Sequence, residues 1–101
     1  MNLSLEEKNA IICGSTQGIG LAIAEELALL GANCTLIARN EEALQTAVQK
    51  LDTQLRQQHN YLVADFSKPD ELKTVIEKHV EKNVVHILIN NSGGPAAGPI
   101  I

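Results

Sequence analysis

The chain has 101 residues, 45% of them hydrophobic and 20% charged, with a formal net charge of −4. That length suits one small domain, which buries roughly 60–68% of its unfolded surface. The acidic balance lacks the clustered Lys and Arg that nucleic acid or an anionic membrane demands, so neither is expected as a partner.

No apolar run approaches the roughly 18 residues of a membrane span. The start, MNLSLEEKN, has neither the basic opening nor the apolar stretch of a secretory signal, so the expectation is a cytoplasmic protein. Residues 9–14, NAIICG, are a short apolar run ending in glycine and read as a buried strand. From Ile19 the apolar residues Ile19, Ala22, Ile23, Leu27 and Leu30 fall at helical spacing, and Gly31 supplies a stop. Residues 33–38, NCTLIA, read as a second strand. Asn40 can cap the next helix, Glu41 and Glu42 suit its first turn, and its stripe is Leu44, Val48, Leu51 and Leu55. Residues 61–66, YLVADF, read as a third strand. Ser67 or a neighbour caps a third helix, with Pro69 in its first turn and a stripe of Leu72, Val75, Ile76 and Val80. Residues 84–90, VVHILIN, read as a fourth strand, and the tail NSGGPAAGPII has too much Gly and Pro for regular structure.

Only Tyr61 and Phe66 are aromatic, so the core must rest on Ile, Leu, Val and Ala. Cys13 and Cys34 lack any C-x-x-C or Cys/His metal spacing. Placed near opposite ends of neighbouring strands, they would exceed the roughly 7 Å Cα separation a disulfide allows and are expected as buried free thiols.

Strands alternating with helices imply parallel pairing with both sheet faces covered. If the chain steps from strand 1 to 2 to 3 and then returns to set strand 4 beside strand 1, the order is 3-2-1-4. Right-handed crossovers then put the first two helices on one face and the third on the other. Ligands in such sheets bind outside the carboxyl ends at the switch between strands 1 and 4. Both glycine-bearing stretches, 14–20 and 93–98, follow those ends.

A helix N-terminus attracts phosphate because its free N–H groups and its dipole both favour negative charge. Gly14 lets the chain turn sharply off the strand, Gly18 admits a diphosphate where a Cβ would intrude, and Gly20 lets the helix pack closely on the sheet. The alternative is a plain strand-to-helix turn.

These residues resemble a family. Gly14-Ser15-Thr16-Gln17-Gly18-Ile19-Gly20 is similar to the G-x-x-x-G-I-G motif of the short-chain dehydrogenase/reductase family. Asn90-Asn91-Ser92-Gly93 is similar to that family's N-N-A-G, with Ser92 for Ala, and Asp65 sits where members hold the adenine ring. The stretch NNSGGPAAGP also resembles the 3-oxoacyl-[acyl-carrier-protein] reductases of the family. Cys13 departs from the Thr that is frequent there.

The resemblance implies an α/β, three-layer half-Rossmann unit that ends after strand 4. It implies the N-terminal cofactor half of a longer reductase that interconverts small carbonyl and alcohol substrates by hydride transfer. The family's Tyr-x-x-x-Lys pair is absent, since Tyr61 is followed four residues later by Asp65, so no catalytic residue is assigned here. Arg39 ends strand 2, where an acidic residue would hold the ribose of NAD; an arginine pairs instead with the 2′-phosphate of NADP. NADP(H) is therefore expected over NAD(H), the alternative being a solvated surface arginine. Ser15 could donate in the phosphate region beside Gln17 and Ile19. Asp65 and the Phe66 backbone would hold adenine, or else serve helix capping. Asn90 and Asn91, with Ser92 and Gly93, would set the strand-4 turn against the cofactor ribose, or form the turn alone. His59, His79 and His86 receive no metal or catalytic role.

The resemblance implies a homo-oligomer, and the bare strand-4 edge leads to the expectation that the isolated chain either self-associates through that side or is only marginally folded. The competing class is a non-catalytic nucleotide-binding or assembly module. A methyltransferase is disfavoured by Arg39 and the glycine spacing.

Overall fold

The computed structural model describes residues 4–14, 18–65 and 68–90. Seven elements follow in strict alternation: β1 (Asn9–Cys13), α1 (Gly18–Leu29), β2 (Asn33–Ala38), α2 (Glu41–Gln49), β3 (Asn60–Val63), α3 (Pro69–Lys82) and β4 (Ile87–Asn90). The four strands form one parallel sheet in the order β3-β2-β1-β4, as the alternation predicts.

Two apolar clusters sandwich the sheet. Ala10 and Ile12 of β1, with Cys34, Leu36 and Ala38 of β2, pack against Ala24 and Ala28 of α1 and Leu44 and Ala47 of α2. On the opposite face Ile11, Cys13 and Ile37 meet Leu72, Val75 and Ile76 of α3. The period-2 alternation of a strand thus divides β1 and β2 between two cores, and their near-continuous apolar sequence is what a doubly covered parallel strand requires.

The buried stripe of α1 differs from the expected one. Gly20, Ala24 and Ala28, four residues apart, face the sheet, whereas Ile19 is 71% exposed and Leu30 38% exposed. Small residues win the sheet-facing stripe because they let the helix axis approach closely. Hydropathy counts favour the larger side chains on the neighbouring face instead.

Asn40 caps α2 as expected, accepting the Ala43 N–H at 3.0 Å. The helix stops at Gln49, before Leu51 and Leu55. The Lys50 and Leu51 N–H groups donate to the Ala47 and Val48 carbonyls, tightening the last turn. Leu51 still reaches the core, but Leu55 is half exposed. The buried place nearby goes to Gln57, whose side chain donates to the Ala28 carbonyl at the end of α1 and accepts the Leu55 N–H.

β3 runs one residue earlier than expected and ends at Val63; Ala64 still donates to the Ala38 carbonyl at 2.9 Å. At the start of α3, Lys68 occupies the cap position without a side-chain cap bond, and Pro69 opens the helix; Ser67 lies outside the described residues. No α3 residue is fully buried, and Val80 is 46% exposed. β4 begins at Ile87 rather than at residue 84. Asn9 captures the preceding segment, its side chain donating to the Val84 carbonyl and its backbone exchanging bonds with His86. Those bonds hold residues 84–86 away from ordinary strand pairing.

Both cysteines are free and buried. Ala10 is level with Cys34 in the β1–β2 register, so Cys13 lies three residues further along. At ~3.3 Å per residue that is about 10 Å, outside disulfide range.

Candidate functional site

The site builds from the carboxyl ends of the strands. β1 has β2 on one side and β4 on the other, so the chain switches direction across the sheet at β1. The Gly14 N–H donates to the Ile37 carbonyl at 2.8 Å, extending the β1–β2 ladder by one bond before the chain leaves the sheet. Gly14 does so at φ 73°, and Gly18 enters α1 at φ 65°. Both values lie in the left-handed region, which glycine adopts without steric cost. Among the described residues a Cβ at Gly18 would meet nothing within 4 Å, so open space fronts the first residue of the helix there. Gly20, two residues on, is buried against the sheet.

Around this turn stand three other strand ends. Arg39 follows β2 directly and is exposed, with Glu41 and Glu42 in the helical turn beyond. Asp65 follows β3 half-buried, its N–H directed at Glu71 Oε1 at 3.3 Å. Asn90 closes β4 level with Cys13. Its side-chain oxygen is buried and has no hydrogen-bond partner among the described residues. A buried, unpaired amide oxygen is costly, so it marks a position open to an incoming donor.

Cys13 precedes Gly14 and lies level with Asn90 in the β1–β4 register, its side chain in the core facing α3. Burial pushes its thiol up to about 11, and that of Cys34 up to about 12, so both stay protonated and inert as nucleophiles at neutral pH. Among the described residues no group of three or more His, Cys, Asp or Glu could hold a metal ion.

Of the residues singled out in the sequence, Gly14, Arg39, Asp65 and Asn90 lie at or just beyond the carboxyl ends of the strands, and Gly18, Ile19 and Gly20 form the first turn of α1. Ser15, Thr16, Gln17, Phe66, Asn91, Ser92 and Gly93 lie outside the described residues. The histidines serve the other end of the sheet: His59 Nδ1 accepts the Cys34 N–H and His86 Nδ1 accepts the Asn9 N–H. Tyr61 is also structural, its hydroxyl donating to Glu41 and accepting from Gln45. No spacing signal in the sequence announces these contacts, because each joins residues 16 or more apart.

A parallel sheet ordered 3-2-1-4, with helices on both faces, defines the Rossmann-like class. Within it, the sequence model of the short chain dehydrogenase family matches residues 8–101, and the chain belongs to that family. "Hydroxysteroid dehydrogenase-like protein 1" of Gallus gallus is 39% identical over 84 residues, covering 83% of this chain and 25% of its own length. "Inactive hydroxysteroid dehydrogenase-like protein 1" of Homo sapiens is 42% identical over the same share of this chain and 26% of its own length. The chain therefore spans about a quarter of the length of these relatives. The 3-oxoacyl-[acyl-carrier-protein] reductase FabG of Chlamydia trachomatis serovar D is 36% identical over 88% of this chain and 36% of its own length. Among solved structures, L-sorbose reductase from Gluconobacter frateurii, complexed with NADPH and L-sorbose, superposes with a TM-score of 0.81 and 33% identity. That match covers 99% of this chain and 38% of the reductase.

Proposed function

We propose that this chain is the NADP(H)-binding half of a short-chain reductase acting on a small carbonyl or alcohol substrate in the cytoplasm. The observation that carries the reading is the left-handed backbone of Gly14 and of Gly18, with open space beside Gly18 among the described residues, next to the switch between β1 and β4. The structural neighbour complexed with NADPH supports the same choice of ligand.

The residues fit a dinucleotide. The N–H groups at the start of α1 would receive the diphosphate, with the helix dipole adding to the attraction. The space in front of Gly18 leaves room for that approach. Gly14 would let the chain turn off β1, Gly20 lets α1 pack on the sheet, and Ser15, Gln17 and Ile19 are assigned to the phosphate region. Arg39, exposed at the end of β2, would pair with a 2′-phosphate. Asp65 and Phe66 would hold the adenine. The unpaired oxygen of Asn90 would accept a hydrogen bond from a donor at the switch point, and Asn91, Ser92 and Gly93 are assigned to the ribose. A bound nicotinamide would supply the hydride that reduces a carbonyl carbon. Proton donation to the resulting oxygen needs a positioned acid, and Tyr61 does not supply one, because its hydroxyl is engaged with Glu41 and Gln45 on β3's flank.

A second reading, a non-catalytic nucleotide-binding module, is favoured by the relatives named inactive hydroxysteroid dehydrogenase-like protein 1. Both readings share the dinucleotide site and differ in turnover.

Calorimetric titration with NADPH and NADH tests the cofactor assignment. NADPH should bind about ten-fold or more tightly, since one charge-assisted contact is worth ~1.5–3 kcal/mol, and Arg39→Ala should narrow the gap. Equal affinities in the unsubstituted chain would refute the role given to Arg39.

A further inference from the structure

At the amino ends of the strands, opposite the glycine turn, a cavity of about 280 Å³ opens on the face that carries α3. Asn9 and Asn33 lie side by side in the β1–β2 register, and Thr35 lies beside Asn60 in the β2–β3 register. With Ile11 and Ile37 facing α3, the strand alternation sets Asn9, Asn33 and Thr35 on that same face. His79 and Asn83, at the end of α3, also line the cavity, as do Gln58 and His59 from the segment before β3. Every lining side chain is polar, and none is a carboxylate, lysine or arginine.

The walls are held in place before anything binds. Asn33 donates to Asn9 Oδ1 at 3.1 Å, and Asn9 donates to the Val84 carbonyl at 2.8 Å. The Gln58 N–H closes the chain on Asn33 Oδ1 at 2.8 Å. His59 is fixed at both nitrogens, by the Cys34 N–H and by the Asp52 carbonyl. Other polar atoms remain unspent. The Asn60 side chain uses its oxygen on the Tyr61 N–H and keeps its amide donors. Asn83 spends its amide nitrogen on the His79 carbonyl and keeps its oxygen as an acceptor. The Thr35 hydroxyl is paired with nothing among the described residues.

We propose that this cavity is a binding site for a small, uncharged, acyclic polyol. The unspent donors and acceptors of Thr35 and Asn60 on the sheet and of Asn83 at the end of α3 match neighbouring hydroxyls, each of which both donates and accepts. The absence of charged groups from the lining disfavours anions and cations, which would lose their hydration without a partner. No Trp, Tyr or Phe ring lines the cavity to offer a broad platform for a nucleobase or the flat face of a sugar ring. The volume lies just below the ~300–1,000 Å³ of ordinary small-ligand pockets, so the ligand is small. Water already competes for every polar atom, so the dissociation constant is expected in the millimolar range.

The test is a titration of the full chain with xylitol, followed by amide NMR, with betaine at equal concentrations as a control for general osmolyte effects. The expected result is saturable shifts at residues 33, 35, 58–60, 79 and 83, absent with betaine. Thr35→Val and Asn60→Ala should each weaken binding at least ten-fold while leaving the remaining spectrum folded; Asn60 is exposed, so at least that variant retains the fold. Shifts that fail to saturate, that scatter over the surface, or that persist unchanged in both variants would overturn the proposal. Dinucleotide binding at the opposite end of the sheet does not enter these readouts, so this inference and the cofactor reading fail separately.

Discussion

Gly18 concentrates two demands in one residue. Its φ of 65° would strain any branched side chain, and its Cβ direction points into open space. A valine there would confound backbone strain with ligand exclusion. Asparagine separates them, because it tolerates the left-handed region. Gly18→Asn should keep the thermal midpoint within a few degrees and weaken NADPH binding by an order of magnitude or more, read by calorimetry. Unchanged affinity in a folded Gly18→Asn chain would remove the diphosphate from this turn. The glycines were legible in the sequence because their spacing follows a strand and opens a helix. The unpaired oxygen of Asn90 was not, since it depends on what β1 places beside β4. The same holds for Gln57, a polar residue that takes a buried place by satisfying the end of α1.

At the scale of elements, contacts between near neighbours in sequence were legible and long-range ones were not. Asn40 caps α2 with a bond to Ala43, three residues on, and such a contact is written in adjacent sequence. Asn40→Ala should therefore cost about 1 kcal/mol, within a range of roughly 0.5–2 kcal/mol, measured by denaturant unfolding. A variant as stable as the parent would show that α2 is held by Leu44 and Ala47 alone. The end of α2 was misread because Leu51 and Leu55 continue the apolar spacing after the helix has closed on itself. The late start of β4 has a long-range cause in Asn9, more than seventy residues away in sequence. The stripe of α1 was misplaced for a third reason: close packing on the sheet selects alanine and glycine over isoleucine.

For the whole molecule, the strand order was legible because alternation, right-handed crossovers and two-faced burial leave few arrangements. The topology brings the strand ends carrying Gly14, Arg39, Asp65 and Asn90 to one side of the sheet, although they are spread over most of the sequence. It does not bring the tyrosine there, since the single tyrosine, Tyr61, is tied to α2. The 101-residue chain should accordingly oxidise no NADPH with a reactive diketone or an acetoacetyl thioester. Turnover that follows the purified chain would contradict the absence of an acid.

The claim on which the account rests is that a dinucleotide lies across the carboxyl ends of β1, β2 and β4. Amide chemical-shift mapping during an NADPH titration addresses it directly. Saturable shifts are expected at Gly14, Gly18, Arg39 and Asn90, with the amino-end residues Asn9, Asn33 and Asn60 unmoved. No saturable shift, or shifts confined to the amino ends, would contradict it.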